Sequence, residues 1–316
     1  MRLAIADNNG LKFVHDLKEH WESLGHEVIY ERGASEYLAQ WADIYYVDTF
    51  DNNLYYLYKL YHGDTTVSRT PDWDNNKKPR VVVRALDWEV WLGQARDQAL
   101  IDWVDDVICI APHIEGELRA HADFGDKLHL IPPGVNLDRF PQKTKHTDGF
   151  QIGMVLGDMW WPKNHMGGLD IFTTLYRQDP RWRLHIRGQH EGGTKYWEKM
   201  YEHYIDSRGI KDAVTLYGPY LDMNDFYENI DVLLHPGMKE GFCYAVGEAM
   251  AKNIPVVVNE FYGSRAIWRH EDLYQTHTQA IEMIKNLRQD TTCRKYIETA
   301  HNMKDMLEAY DRLLGL

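Results

Sequence analysis

Residues 235–258 read His-Pro-Gly-Met-Lys-Glu-Gly-Phe-Cys-Tyr-Ala-Val-Gly-Glu-Ala-Met-Ala-Lys-Asn-Ile-Pro-Val-Val-Val, a strand end, a glycine-bearing loop, a helix and a second strand. Strands that alternate with helices restrict a chain to an α/β fold with a parallel sheet. The same stretch has the layout of an anion site. A helix starting near Phe242 or Cys243 turns its free N–H groups and positive dipole end toward whatever lies outside the loop, and a phosphate is the natural occupant. Glu248 then lies ~7.5 Å along the axis, leaning back toward the helix start, where a carboxylate could hold a ribose. Glu240, at the mouth, could accept hydrogen bonds from hydroxyls on the far side of the same phosphates. The two acids bracket something shaped like a nucleotide-sugar diphosphate, and need not be a general acid and base.

The alternation runs through the whole chain. Arg2–Ala6 is apolar and ends in Asp7-Asn8-Asn9-Gly10, after which Leu11, Val14, Leu17, Trp21 and Leu24 recur at helical spacing. Gly25 closes that helix and residues 26–30 resume as a strand. The loop at Asn9 and Gly10 stands where a ligand loop follows a first strand, although Asn-Asn-Gly is also ordinary turn chemistry. Strands at 44–47, 81–84, 107–110 and 128–131, with helical stretches at 54–61, 88–103 and 112–121, complete a first α/β half. Residues 63–79 form a polar loop; its Asp72-Trp73-Asp74 is not read as a metal site, because no strand end fixes its carboxylates.

Residues 132–149, rich in proline and then in charge, mark a boundary between an N-terminal domain, 1–141, and a second domain, 150–290. The second half repeats the rhythm, with strands at 151–156, 183–186, 214–217 and 232–235 and helices at 164–178, 195–208 and 222–229. Two helical segments follow, about 276–289 and 291–314. The reading is two Rossmann-like domains, for which 316 residues suffice.

The formal net charge of -13 opposes a protein that holds nucleic acid by neutralising its phosphates. The three cysteines, Cys109, Cys243 and Cys293, show no paired spacing, so neither a disulfide framework nor a zinc site is suggested, and a reducing compartment fits. The first apolar run is too short for a signal peptide, and no run approaches the ~20 residues that spanning a bilayer needs. The expectation is a soluble cytoplasmic protein.

Two motifs carry a resemblance to the retaining GT-B glycosyltransferases of family 4. Lys239-Glu240-Gly241-Phe242-Cys243-Tyr244 through Glu248 is similar to that family's acid, glycine, phenylalanine, acid motif, with seven residues between the two acids. Leu130-Ile131-Pro132-Pro133-Gly134-Val135-Asn136, running on to Phe140, is similar to its interdomain signature. The resemblance covers most of the chain. It implies a GT-B fold whose two Rossmann-like domains face a central cleft, with a terminal segment, 291–316, returning to the N-terminal domain.

The resemblance also implies roles. Glu248 would bind the donor's ribose and Glu240 the transferred sugar, while the backbone N–H groups of Phe242, Cys243 and Tyr244, beside Gly241, would meet the diphosphate. Lys163 matches the lysine that neutralises charge on the departing phosphates, the largest service such a site can provide. Asn9, Gly10 and Gly157 would border the donor; Arg187, Gly188 and Tyr220 would line the nucleotide pocket. A lysine beside a helix start is disfavoured by the dipole, which itself suggests an anion there. The chain departs from the family pattern at four places: Asp158 stands where an arginine is usual, with Arg187 or Arg265 as possible replacements; Arg84-Ala85-Leu86-Asp87 lacks the usual histidine; Asn8-Asn9-Gly10 replaces the usual double glycine; and Cys243 stands where glycine is commoner, as a small packing residue rather than a nucleophile.

The expected activity is transfer of a sugar, with retention, from a nucleoside-diphosphate sugar, UDP-linked, to a hydroxyl acceptor. The acceptor would be a sugar or glycoconjugate rather than DNA. No cofactor, metal or enzyme nucleophile is required, because the leaving diphosphate takes the acceptor's proton. Two rivals are a catalytically inactive nucleotide-sugar-binding protein, suggested by Asp158 and the missing histidine, and a glycosyltransferase of a modified DNA base, opposed by the acidity.

Overall fold

The computed structural model describes residues 1–316 except 9, 12–13, 65, 68–72, 75, 146, 159–160, 190–194, 218–221 and 288–291. The chain divides into two compact units, Met1–Pro133 with Met306–Leu316, and Gly134–Asp305. Every strand pairing among the described residues is parallel.

The first unit holds β1 (Arg2–Ala6), β2 (Glu27–Glu31), β3 (Ile44–Val47), β4 (Arg80–Ala85), β5 (Asp106–Cys109) and β6 (Leu128–Leu130), side by side in the order β2-β1-β3-β4-β5-β6. β3 and β5 are buried at every residue, as strands covered on both faces must be, which is why they read as continuous apolar runs. At the carboxyl end of this sheet Asp48 accepts from Arg84 Nε at 2.6 Å, with side chains only 0% and 2% exposed. Burial pushes the Asp48 carboxyl up, and Arg84 offsets only part of that.

The helix expected over 88–103 is broken. Gly93 takes a φ of +80° between a short helix, Trp88–Trp91, and a turn at Gln94–Arg96; Asp97 then caps a new helix, Gln98–Trp103, by accepting from the Ala99 and Leu100 amides. The segment 291–314 also divides, into helices Cys293–Ala300 and Met303–Leu314. The Val135 amide donates to His301 O at 2.9 Å, and Asn302 Oδ1 accepts from the Lys304 amide at 2.9 Å, so a pairing with another segment and a new cap interrupt the ladder. The apolar period continues across the break, which hides it in the sequence.

Met306–Leu316 belongs to the first unit. Tyr310 is buried there with ring centroids 6.3 Å from Trp21 and 6.0 Å from Tyr46, and its hydroxyl lies 3.2 Å from that of Tyr46. Arg80 donates to the carbonyls of Leu313 at 2.9 Å and Leu314 at 3.3 Å, satisfying the helix's last acceptors with a cation where the dipole favours one.

The second unit holds β7 (Gln151–Asp158), β8 (Arg183–Gln189), β9 (Val214–Tyr217), β10 (Val232–His235), β11 (Val256–Asn259) and β12 (Leu273–Tyr274), in the order β12-β11-β10-β7-β8-β9. The two-residue β12 is too short to stand out in the sequence. Ile152, Met154, Leu184, Ile186, Val232 and Leu234 of the central strands form a core with Leu169, Phe172 and Leu175 of helix His165–Gln178. Gly168 allows that helix to approach closely, because a Cβ there would lie 2.5 Å from Met154 Sδ and 3.1 Å from Pro236 Cγ. From β7 the chain lays β8 and β9 on one side and then crosses back to lay β10 on the other. The carboxyl ends of β7 and β10 therefore flank the switch point, where loops diverge and open α/β sheets bind ligands.

Replacing Tyr310 by alanine is expected to cost about 3–5 kcal/mol in chemical denaturation, and by phenylalanine about 1 kcal/mol, the first removing a buried ring and the second only its hydroxyl.

Candidate functional site

The loops after β7 and β10 are joined to each other by their backbones. The Met238 amide donates to Pro162 O at 2.8 Å, and Asn164 Nδ2 donates to Pro236 O at 3.1 Å. Asn164 adopts a left-handed φ of +49° and caps helix His165–Gln178 by accepting from the Gly167 amide at 3.3 Å. Asn259, at the end of β11, donates to Gly237 O at 3.1 Å. These bonds set Lys163, from the first loop, against Glu240, from the second.

Lys163 Nζ lies 2.6 Å from Glu240 Oε1, with side chains 24% and 11% exposed. His235, the last residue of β10 and almost wholly buried, places Nε2 3.3 Å from the same oxygen, within ion-pair reach but without the alignment of a hydrogen bond. Its Nδ1 lies 3.5 Å from Cys243 Sγ. Gly237 is what lets the chain fold over this ring: a Cβ there would come within 2.6 Å of His235 Nε2 and 3.3 Å of Glu240 Oε1.

Burial alone would raise the Glu240 carboxyl, but the Lys163 charge and His235 outweigh it and hold the group at about 2. Burial likewise opposes a charge on His235, and Cys243 and Glu240 outweigh it, taking the imidazole up to about 9. At neutral pH the cluster is thus an ammonium and an imidazolium around one carboxylate. The anion beside Lys163 is the protein's own Glu240.

Helix Tyr244–Ala251 begins beside this cluster. Its N-cap is Cys243, at φ +71° and with no side-chain capping bond, and the positive end of the helix dipole lies here. A positive φ is the conformation that glycine adopts most readily. Phe242 is buried, with ring centroids 5.0 Å from Trp268 and 4.9 Å from His301, which moors the loop that also carries Gly241. Glu248, the fifth residue of the helix, receives the Tyr227 hydroxyl on Oε2 at 2.8 Å. Tyr227 is fully buried, and burial and the neighbouring Glu248 hold its phenol well above the usual value, while the charge of Arg187 acts the other way.

Arg187 is half-buried in β8, next to Gly188, and Gly188 pairs with Gly157 of β7 at the carboxyl ends of those strands. Arg265 does not reach this cluster's charges as a spare cation: it is 58% exposed and grips both oxygens of Glu260 at 2.8 and 2.9 Å. Gly10 belongs to the first unit, at φ +74°, where a Cβ would stand 3.0 Å from Arg32 Nη2; its loop is tied down by Asn8 bonded to Asp51 and by the Leu11 amide on Asp7. Asn9, Asp72 and Tyr220 lie outside the described residues, as does the side chain of Asp158.

Sequence reasoning missed His235 and Tyr227 as working members of the site. A histidine closing a strand just before Pro-Gly was a signal for the first; Tyr227 carries none, because a tyrosine on a helix reads as packing. His235, Glu240 and Cys243 bring metal-ligand atoms within 4.8 Å of one another. The ring nevertheless turns Nδ1 to the thiol and Nε2 to the carboxylate, opposite edges that one ion cannot share, and Lys163 already holds the carboxylate. The arrangement suits charge pairing better than coordination.

The family model described as "Glycosyl transferases group 1" matches residues 138–305, more than half of the chain. The chain belongs to this family. It is 29% identical over 154 residues to mannosylfructose-phosphate synthase of Agrobacterium fabrum, covering 43% of this chain and 34% of that protein. It is 27% identical over 100 residues to the lipopolysaccharide core biosynthesis mannosyltransferase LpsB of Rhizobium meliloti, covering 30% of this chain and 28% of that one. The chain thus matches about a third of the length of these curated relatives. Among solved structures it is similar to HepE of Anabaena in complex with UDP and glucose, at TM-score 0.75 and 13% identity over 100% of this chain and 99% of that one. It is similar also to sucrose-phosphate synthase of Thermosynechococcus elongatus, at TM-score 0.76 and 14% identity over 99% and 98%. Likeness at these identities is one of fold, and the fold is GT-B. No helix among the described residues is long and apolar enough to cross a membrane.

The charged cluster ties stability to pH in a definite sense. Protonated His235 contributes fully below about 6.5 and loses its contribution as pH rises through about 9; ionised Glu240 contributes above about 4.5 and loses it as pH falls through about 2. The melting temperature is expected to fall as pH rises from about 6.5 to about 9, and His235→Gln to flatten that slope in a thermal-shift titration.

Proposed function

We propose that the protein is a retaining glycosyltransferase that takes a nucleoside-diphosphate sugar, UDP-linked, and passes the sugar to a hydroxyl acceptor. The observation that carries this reading is one arrangement in the second unit. Lys163, Glu240 and His235 cluster at the uncapped start of helix Tyr244–Ala251, and Glu248 is held by Tyr227 one turn further in. A diphosphate at the helix end would meet the amides of Cys243 and Tyr244 and the Lys163 ammonium. Glu248, its carboxylate oriented by Tyr227, would take a ribose diol. Glu240, kept ionised, is an acceptor for sugar hydroxyls and is positioned rather than poised to move a proton.

Charge develops on the leaving diphosphate as the glycosidic bond breaks, and the Lys163 ammonium and the helix dipole are already in place to receive it. In this reading the leaving phosphate oxygen accepts the acceptor's proton on the same face, the new bond forms there, and configuration is retained. No nucleophile of the protein and no metal enters. UDP as the carrier is supported by the similar Anabaena structures, whose ligands are UDP with glucose, UDP, and UDP-glucose.

Isothermal titration with UDP, followed by assays with a panel of labelled UDP- and GDP-sugars, tests the reading. Lys163→Ala is expected to lower kcat by about 100-fold or more, since it removes a contact to developing charge. Tyr227→Phe is expected to weaken UDP binding by about five- to tenfold through loss of the Glu248 orientation. Full activity in both Lys163→Ala and Glu240→Gln, or binding without any hydrolysis or transfer across the panel, overturns it.

A further inference from the structure

In the proposed reaction Lys163 serves the diphosphate and Glu240 the sugar, yet in the structure the two side chains hold each other at 2.6 Å. A phosphate that draws a hydrogen bond from the ammonium takes it, at least in part, from the carboxylate. Each hydrogen bond removed from a carboxylate only 11% exposed lets it swing toward water or take up a proton. Lys163 therefore cannot be the group that fixes Glu240 through the reaction.

His235 is placed for that task. It closes β10 beside Val258 of β11 and is almost wholly buried. Gly237 lies over its ring with no room for a Cβ, and Phe261 stands edge-on to it, with ring centroids 6.5 Å apart. The imidazole is thus held by a strand and by the packing around it, whereas Lys163 reaches in from the turn Trp161–Lys163 on a flexible four-carbon stem. Nε2 of His235 faces Glu240 Oε1 at 3.3 Å, the same oxygen that Lys163 holds. It is a buried nitrogen with no aligned hydrogen bond, and such an atom in a native site calls for an explanation. A ring nitrogen facing a carboxylate keeps its proton on that side in the neutral as in the charged ring, since a lone pair there would be repelled. The donor is already in place, and a small rotation of the carboxylate completes the bond.

We propose that His235 is the positioning residue for Glu240: as Lys163 gives its hydrogen bonds to the diphosphate, the Nε2–H of His235 donates to Oε1 and keeps the carboxylate set for the hydroxyls of the sugar. The proposal rests on the donor-site reading. His235 acts only through Glu240, so its effect on binding a diphosphate disappears once residue 240 carries no charge.

Isothermal titration of the intact chain with UDP, and with uridine as the control, tests this in the wild type, His235→Asn, Glu240→Gln and the double variant. The shorter amide of His235→Asn ends near the place of Nδ1 and leaves no donor facing Glu240. It is expected to weaken UDP binding about tenfold and to leave uridine binding unchanged. In the Glu240→Gln background the same substitution is expected to change UDP affinity by less than about twofold. His235→Gln, whose amide nitrogen reaches the place of Nε2, is expected to stay within about threefold of the wild type. A loss of equal size with and without Glu240 means that the ring contributes only charge or packing and overturns the proposal, as does a glutamine variant no better than asparagine. If His235→Asn does not fold, isotope-labelled histidine in the wild type decides: the Nε2–H signal is expected to move downfield on adding UDP and not on adding uridine, and an unmoved signal with UDP bound overturns the proposal. UDP binding without this coupling leaves the donor-site reading standing, whereas no UDP binding in the wild type overturns that reading and this one with it.

Discussion

Parallel pairing is the constraint from which the rest follows. A parallel sheet returns the chain through a crossover after every strand, so all carboxyl ends, and the loops that leave them, collect at one edge. In the second unit the order β12-β11-β10-β7-β8-β9 reverses direction at β7, and the loops after β7 and β10 part there. Lys163 and Glu240 are 77 positions apart in sequence yet adjacent in space because they leave those two neighbouring strands. The first unit has the same reversal between β1 and β3, and its buried Asp48–Arg84 pair lies at the equivalent edge.

Holding charges at such an edge has a cost. An isolated buried carboxylate would take up a proton, and an isolated buried imidazole would lose one. Each remains charged here because the other is beside it and because Lys163 completes the set. The glycine at 237 and the capping Asn164 are the backbone side of that arrangement, since they bring the two loops within hydrogen-bonding distance and leave no room for a larger residue over the His235 ring. In the proposed reading, a preassembled charge cluster would need no reorganisation when a diphosphate binds, which is what electrostatic stabilisation of a leaving group requires.

Much of the architecture is legible in the order of residues. The runs at 44–47 and 232–235 coincide with β3 and β10, because a strand held between neighbours in a covered sheet is rich in apolar residues and is bounded sharply by turn residues, and the run at 214–217 coincides with the edge strand β9. The helix start at Cys243 is legible from its loop chemistry. The breaks at Gly93 and at His301-Asn302 are not: the apolar period runs through both, and what stops the helices is a left-handed glycine in one case and a backbone pairing with Val135 in the other. Arg265 looks as available as Arg187, and only the folded chain commits it to Glu260.

By itself, then, the sequence determined the α/β class, the places of most strands, and the loop, helix and acids around residues 240–248, since those follow from local periodicity and local turn chemistry. The partners of those acids were decided by tertiary structure alone. Which cation meets Glu240, that His235 turns one nitrogen to it and the other to Cys243, and that Tyr227 orients Glu248 depend on which strands lie side by side. Strand order is set by how crossovers stack on the sheet, a property of the whole unit that no short stretch of residues encodes.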